Sequence, residues 1–354
     1  MTTVLARPSA VAAPARPEAD AARRWRLLAV LAMLSLLLLW LGLMAGPSGL
    51  SWSGWLADLG SDQAALIVGE IRAPRTLGAW AVGALLGLAG ALAQGLFRNP
   101  LADPYLLGTA AGAGLAVVLV LAGASLGGVA IGLATAQWLA RLGIVLAAFV
   151  GALTGLLMTL ALARGAHSPM RLLLSGVVVA VVLGAIGDLV TFVSPDALRG
   201  KQSFLLGSTG FLGWGSVAVL VAGFAVALPL ARRYARALDA LTLGEDSAAS
   251  LGLDLPRIRL VLVGLLALTT GLAVSQAGLV AFVGLVAPHL VRRHAPAPQA
   301  FTMLASAAMG GVLLLAADVM ARCVIAPQEL PVGVLTAVLG GGYLMRLLSR
   351  QERE

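Results

Sequence analysis

Cysteine occurs once in the 354 residues, at Cys323, and lysine once, at Lys201. A single thiol excludes an intrachain disulfide and a paired-thiol metal site. Lys201 stands in Gly200-Lys201-Gln202, whereas a phosphate-binding loop needs Lys followed by Ser or Thr after a Gly-rich turn. ATP hydrolysis by that route is therefore excluded for this chain. His167, His289 and His294 form no HExxH pair, and Gly-x-Ser-x-Gly does not occur. No catalytic residue, metal site or cofactor of its own is expected, and the chain reads as a non-enzyme. Charged residues make up only 11% and aromatics 5%. A soluble domain carries about 25% charged residues, so a soluble globular fold is excluded. A formal charge of +8 without interleaved aromatics also fails to make a nucleic-acid platform.

What fills the chain is apolar: 60% hydrophobic residues and 43 glycines. This is the composition of closely packed membrane helices. A span needs about 20 mostly apolar residues, and ten such runs are read, giving an all-α polytopic membrane protein. They lie at 27–46, 77–97, 106–124, 142–163, 172–193, 216–231, 258–274, 278–290, 300–317 and 332–348. The eighth is too short to span alone. The first exceeds the 7–15 residues of a signal-peptide core and reads as an uncleaved span. Residues 1–26 are expected to be a disordered cytoplasmic tail and 349–354 a short C-terminal tail. With the N-terminus inside, 18 of the 24 Lys and Arg fall in inner segments. Arg72, Arg75, Arg141, Arg199, Lys201 and Arg322 fall outside. That bias predicts both termini in the cytoplasm.

Three segments are too patterned for plain loops. In the inner connection 232–257, Leu238, Leu241 and Leu243 precede Gly244, a helix stop. Glu245 and Asp246 then open a second short helix, which Gly252 ends before Pro256. Two short helices joined by a Gly turn make either a rigid knob for a cytoplasmic partner or a pair lying on the membrane surface. Arg98-Asn99-Pro100-Leu101-Ala102-Asp103-Pro104 cannot be one helix, because its prolines forbid it. Pro288 is expected to break the eighth run, with Arg292-Arg293 anchoring it inside. Within the runs the carboxylates are few. Asp188 and Asp318 read as snorkelling groups or local polar pairs, too sparse for an ion-coupled secondary carrier.

The segments GEIRAPRTL (69–77), RNPLADPYLLG (98–108), LTLGEDSAASLG (241–252), GLVAFVGLVAPHLVR (278–292) and ADVMARCVIAPQELPVGV (317–334) together resemble the FecCD family. These are type II ATP-binding-cassette importer permeases for cobalamin, haem and ferric siderophores, and the resemblance covers 27–348. It implies ten helices per subunit and a homodimer with one central pathway. It also implies two cytoplasmic ATPases that hold ATP and Mg, and a periplasmic binding protein. It places the short helices in the ATPase groove: Leu238, Leu241, Leu243, Gly244, Glu245, Asp246, Ser247, Leu251 and Gly252. It assigns a cytoplasmic gate to Asn99, Pro100 and Leu101, with Pro169 and Met170 matching by position only. On the outer face it assigns binding-protein docking to Arg72, Arg75 and Arg322. Gly340-Gly341-Gly342 departs from a Gly-Ala-Pro often found there. By overall likeness, haem or a related iron chelate leads as cargo in the bacterial inner membrane, with cobalamin second. An ion-coupled carrier is the reading from another class.

Overall fold

The computed structural model describes residues 17–46, 49–50, 66–126, 134–165 and 168–351. Helix α1 (Pro17–Met44) leads into a minimal antiparallel ribbon, β1 (Ala45–Gly46) with β2 (Gly49–Leu50). A π-helical turn, Ile67–Arg72, runs into α2 (Ala73–Leu96), and a 3-10 turn, Pro104–Leu107, precedes α3 (Thr109–Leu126). Then follow α4 (Ala134–Leu162), α5 (Pro169–Val193), α6 (Pro195–Leu206) and α7 (Trp214–Arg233). Two short helices come next, α8 (Ala235–Thr242) and α9 (Glu245–Ser250). The chain closes with α10 (Leu255–Ala277), α11 (Val283–His294), α12 (Gln299–Cys323) and α13 (Val332–Gln351).

Each of the ten apolar runs holds a helix, although the eighth is helical only from Val283. Among the described residues, seven helices are long and apolar enough to cross a membrane by length and composition. Thr109–Ala124 and Val332–Leu347 are shorter apolar helices, and α11 has 12 residues.

The structure corrects the sequence expectations in three places. Helix α1 begins at Pro17, inside the segment expected to be a disordered tail, and residues 1–16 lie outside the described residues. Proline at the start of a helix costs nothing, because its missing N–H would have no partner there. Likewise α13 runs into the expected C-terminal tail as far as Gln351. Second, α6 was not foreseen, because its mixed composition gives no apolar run; Pro195 starts it and Gly207 ends it. Third, Pro288 does not break α11, which continues through it to His294. The break comes earlier, where Gly278 and Phe282 both take positive φ.

Helix α2 is the axis of the bundle, buried along nearly its whole length, with α7, α10, α11 and α12 against it. Glycine makes this approach possible. A Cβ on Gly83 would stand 2.3 Å from the Gly310 carbonyl of α12, and one on Gly90 1.6 Å from the Gly284 carbonyl of α11. Close backbone contact of this kind is how membrane helices gain packing energy without a hydrophobic drive between them. The Gly108/Gly112 and Gly151/Gly155 pairs meet each other in the same way across α3 and α4.

Candidate functional site

The α8–α9 pair is built as the sequence suggests. Gly244 turns the chain between them at φ 111°, a conformation that favours glycine, and Gly252 ends α9 at φ 77°. Leu238 and Leu241 are 0% and 2% exposed and sit in the main core with residues of α2 and α10. Their expected place in a partner's groove is therefore corrected: they seat the pair on its own bundle. The amphipathic α8 spends its apolar stripe on that core. What the pair presents outward is Leu243, Asp246, Ser247 and Leu251, with both leucines more than half exposed.

Glu245 has a different role from its neighbours. Its Oε1 accepts from Arg259 Nη2 at 2.7 Å and from Arg98 Nη2 at 3.2 Å. Arg259 is buried on the second turn of α10, and Arg98 lies two residues beyond the end of α2. The hydrogen bond from Arg259, reinforced by the charges of Arg259 and Arg98, holds this carboxyl below the usual glutamate range. One carboxylate thus ties the short pair to the ends of α2 and α10. Arg98 carries φ 50°, a left-handed geometry that costs a side-chain-bearing residue about 1–2 kcal/mol.

From Arg98 the chain enters the Asn99 turn. Asn99 Oδ1 accepts from the Leu101 amide at 2.9 Å, and Asp103 Oδ1 accepts from the Tyr105 amide at 2.8 Å. Asx bonds of this kind fix a turn that two prolines have already barred from being helical. Asn99, Pro100 and Leu101 are exposed, whereas Ala102, Pro104 and Leu107 are buried. Burial pushes the Asp103 carboxyl up to about 6 against the pull of the Tyr105 amide. Pro169 and Met170 form the first turn of α5, which Ser168 caps, and Met170 is exposed. Among the described hydrogen bonds and ion pairs, none joins them to the Asn99 turn.

At the opposite end of α2 the three arginines expected at a docking face lie close together, and an acid inside the chain claims two of them. Asp318 of α12 is fully buried. Its Oδ1 accepts from Arg75 Nε and Nη2 at 3.1 Å each and from the Thr209 hydroxyl at 2.5 Å. Its Oδ2 pairs with Arg322 Nη2. Arg322 also donates to the Gly42 carbonyl at 2.9 Å, and Arg75 pairs with Glu329 at 2.9 Å. The group binds α1, α2, α12 and the loops around Thr209 and Glu329, and its two cations balance two acids. Arg322 is 3% exposed, so its expected role as a docking cation is corrected: its guanidinium is spent inside the bundle. Arg72 is half-buried and donates to the Leu43 carbonyl at 3.2 Å. Sequence reasoning missed Asp318 as the organiser, although its i,i+4 spacing to Arg322 on one helix was the available signal. The other intramembrane acid, Asp188, pairs with Lys201 of α6 as a local polar pair.

A sequence profile described as the FecCD transport family matches residues 33–350. The hemin transport system permease protein of Yersinia pestis is 37% identical over 289 residues, covering 80% of this chain and 84% of that protein. The cobalamin import system permease protein of Halobacterium salinarum is 37% identical over 297 residues, covering 82% and 75%. The iron(3+)-hydroxamate import system permease protein of Bacillus subtilis is 35% identical over 290 residues, covering 81% and 72%. Among solved structures, a metal-chelate type transporter in an inward-facing conformation superposes with a TM-score of 0.79. It is 23% identical and covers 92% of this chain and 99% of that one, a likeness of fold.

Proposed function

The chain belongs to the FecCD transport family, a family of multi-pass membrane permeases of importers, and from that premise we propose the parts this subunit plays. It is one half of a homodimeric permease in the bacterial inner membrane, with both termini in the cytoplasm. It carries haem or a related ferric chelate inward. Two separate ATPase subunits, holding ATP and Mg, drive it, and a periplasmic binding protein delivers the cargo. The second reading of the cargo is cobalamin, because the cobalamin permease relative is as similar as the hemin one.

The observation that carries the reading is the construction of the α8–α9 pair. It is anchored by buried leucines, clasped by Glu245 and capped by an exposed surface of Leu243, Asp246, Ser247 and Leu251. A rigid knob gripped at its base passes force to whatever it is clasped to. Here it is clasped to the Asn99-Pro100-Leu101 turn through Arg98 and to α10 through Arg259. ATPase motion against the exposed tip therefore tilts α2 and α10 together and moves the gate turn, a rigid-element mechanism of a familiar kind. At the outer face, Arg72 and the partly exposed Arg75 remain as the cations for an acidic binding-protein surface, acting mainly through steering and register.

The test is uptake into proteoliposomes containing this chain with its cognate ATPase and binding protein, offered haem, cobalamin or a ferric hydroxamate. ATP-dependent accumulation of haem is expected. Cobalamin alone accumulating overturns the cargo. Uptake that follows a proton gradient and ignores ATP overturns the mechanism.

A further inference from the structure

A cavity of about 320 Å³ lies between the end of α2, the Asn99 turn and the start of α12, with Gln94, Arg98, Asn99, Thr242, Arg292 and Gln299 in its lining. Three shielded polar atoms on these lining residues have no hydrogen-bond partner among the described residues: Gln94 Oε1, Gln299 Oε1 and Arg292 Nη2. Gln94 is 4% exposed, and its amide nitrogen donates to the Leu285 carbonyl at 3.1 Å, which fixes the oxygen as the unspent end. Gln299 is held by its backbone amide, which donates to Asp239 Oδ1 at 2.9 Å. Among the described ion pairs, none involves Arg292, and Arg98 shares Glu245 with Arg259.

Each such buried group left unsatisfied costs about 1–3 kcal/mol, and folded proteins rarely keep several in one place without a ligand or water to answer them. The chemistry of these groups is mixed. The Arg292 guanidinium asks for an anion that accepts, with Arg98, already paired to Glu245, adding positive charge beside it, while two amide oxygens ask for donors. A carboxylate or a sulfate accepts only, and would leave both glutamines unanswered. Water donates but brings no charge. A phosphate group with hydroxyls does both.

We propose that this cavity binds a phosphate group bearing hydroxyl donors, its oxygens accepting from Arg292 and Arg98 and its hydroxyls donating to Gln94 and Gln299. Two sources share that chemistry: free inorganic phosphate, whose dihydrogen form is populated near neutral pH and carries two hydroxyls, and a phosphatidylglycerol headgroup, whose two glycerol hydroxyls are the donors. Either would sit between the gate turn and Thr242 at the end of α8.

The full chain in phosphatidylcholine nanodiscs is titrated with phosphate and with sulfate at equal ionic strength, following the thermal midpoint. In parallel, native mass spectrometry counts lipid retained from nanodiscs containing phosphatidylglycerol. The donor requirement predicts a preference of about tenfold for phosphate over sulfate, or for phosphatidylglycerol over phosphatidylcholine. A preference in the first arm identifies the free ion, and one in the second identifies the lipid. Arg292→Gln should abolish binding. Gln299→Leu, which keeps the charge, should leave anion attraction but erase the preference. Phosphate and sulfate binding equally with no retained phosphatidylglycerol, or a preference that survives both substitutions, overturns the proposal.

Discussion

Asp318→Asn is the substitution that separates a structural arginine cluster from a docking one. In the parent, Arg75 and Arg322 are balanced by Asp318 and Glu329, and Asp318 and Arg322 are almost wholly shielded from solvent. Asparagine keeps the shape and an acceptor for Thr209, but it removes the charge that Arg322 faces. The remaining acceptors described for Arg322 are backbone carbonyls, of Gly42 at 2.9 Å, Asp318 at 3.4 Å and Ala45 at 3.5 Å. Breaking a buried pair from one side costs about 3–5 kcal/mol, because the other charge stays behind. A Coulomb figure of about 4 kcal/mol for a contact pair at an effective dielectric of 20 agrees.

At about 2.1 cal/mol/K of unfolding entropy per residue, 354 residues shift by about 1.3 °C per kcal/mol, so the thermal midpoint in one detergent should fall by roughly 4–7 °C. The double variant Asp318→Leu with Arg322→Leu removes both charges, leaves Arg75 with Glu329, and should return to within about 1–2 kcal/mol of the parent. Tryptophan fluorescence follows both melts. If Asp318→Asn melts with the parent, or the double variant melts lower than the single one, the buried pair is not what holds α2, α12 and α1 together.

Three further outcomes follow from the same structure. Glu245→Gln keeps an acceptor but removes the charge that buried Arg259 faces, so stability should fall by about 1–3 kcal/mol, less than for Asp318→Asn because Glu245 itself is partly exposed. ATP-driven uptake should fall severalfold with ATPase co-purification intact, whereas Asp246→Arg at the exposed tip should weaken co-purification itself; unchanged uptake in Glu245→Gln would end the clasp argument. Asp103 has its folded-state pKa raised from 3.8 to about 6, so its stabilising contribution is full below the unfolded value and is lost as pH rises through 6. The parent should gain about 1 kcal/mol between pH 7 and pH 5 from this group, and Asp103→Asn, which keeps the acceptor for the Tyr105 amide, should lose that slope in pH-resolved melts. Gly90→Ala places a Cβ 1.6 Å from a backbone oxygen, and neither helix has a flexible side chain there to yield. Folded yield by size-exclusion chromatography should collapse, while Gly264→Ala, with open space at its Cβ, should leave it unchanged.

Much of this protein is written in one dimension. Membrane residence, the helical runs, the turn at Asn99 and the two-helix knob all come from local rules. An apolar run has no choice but helix in lipid, the closely spaced prolines of the Asn99 turn keep that segment from being one helix, and Gly244 supplies a conformation that other residues avoid. The family was legible from five short segments for the same reason, since each is a local solution to a local constraint. The partnerships were not legible. Arg75 and Asp318 are 243 residues apart, as are members of no sequence motif, and Arg98 meets Glu245 across 147. Whether an arginine faces a partner or an acid of its own chain depends on which helix ends share a layer. The burial of Leu238 beside the exposure of Leu243 likewise depends on where α8 lands on α2 and α12. Local chemistry chose the elements, whereas the allocation of charges and leucines between inside and outside was decided by packing, because burial is a property of neighbours.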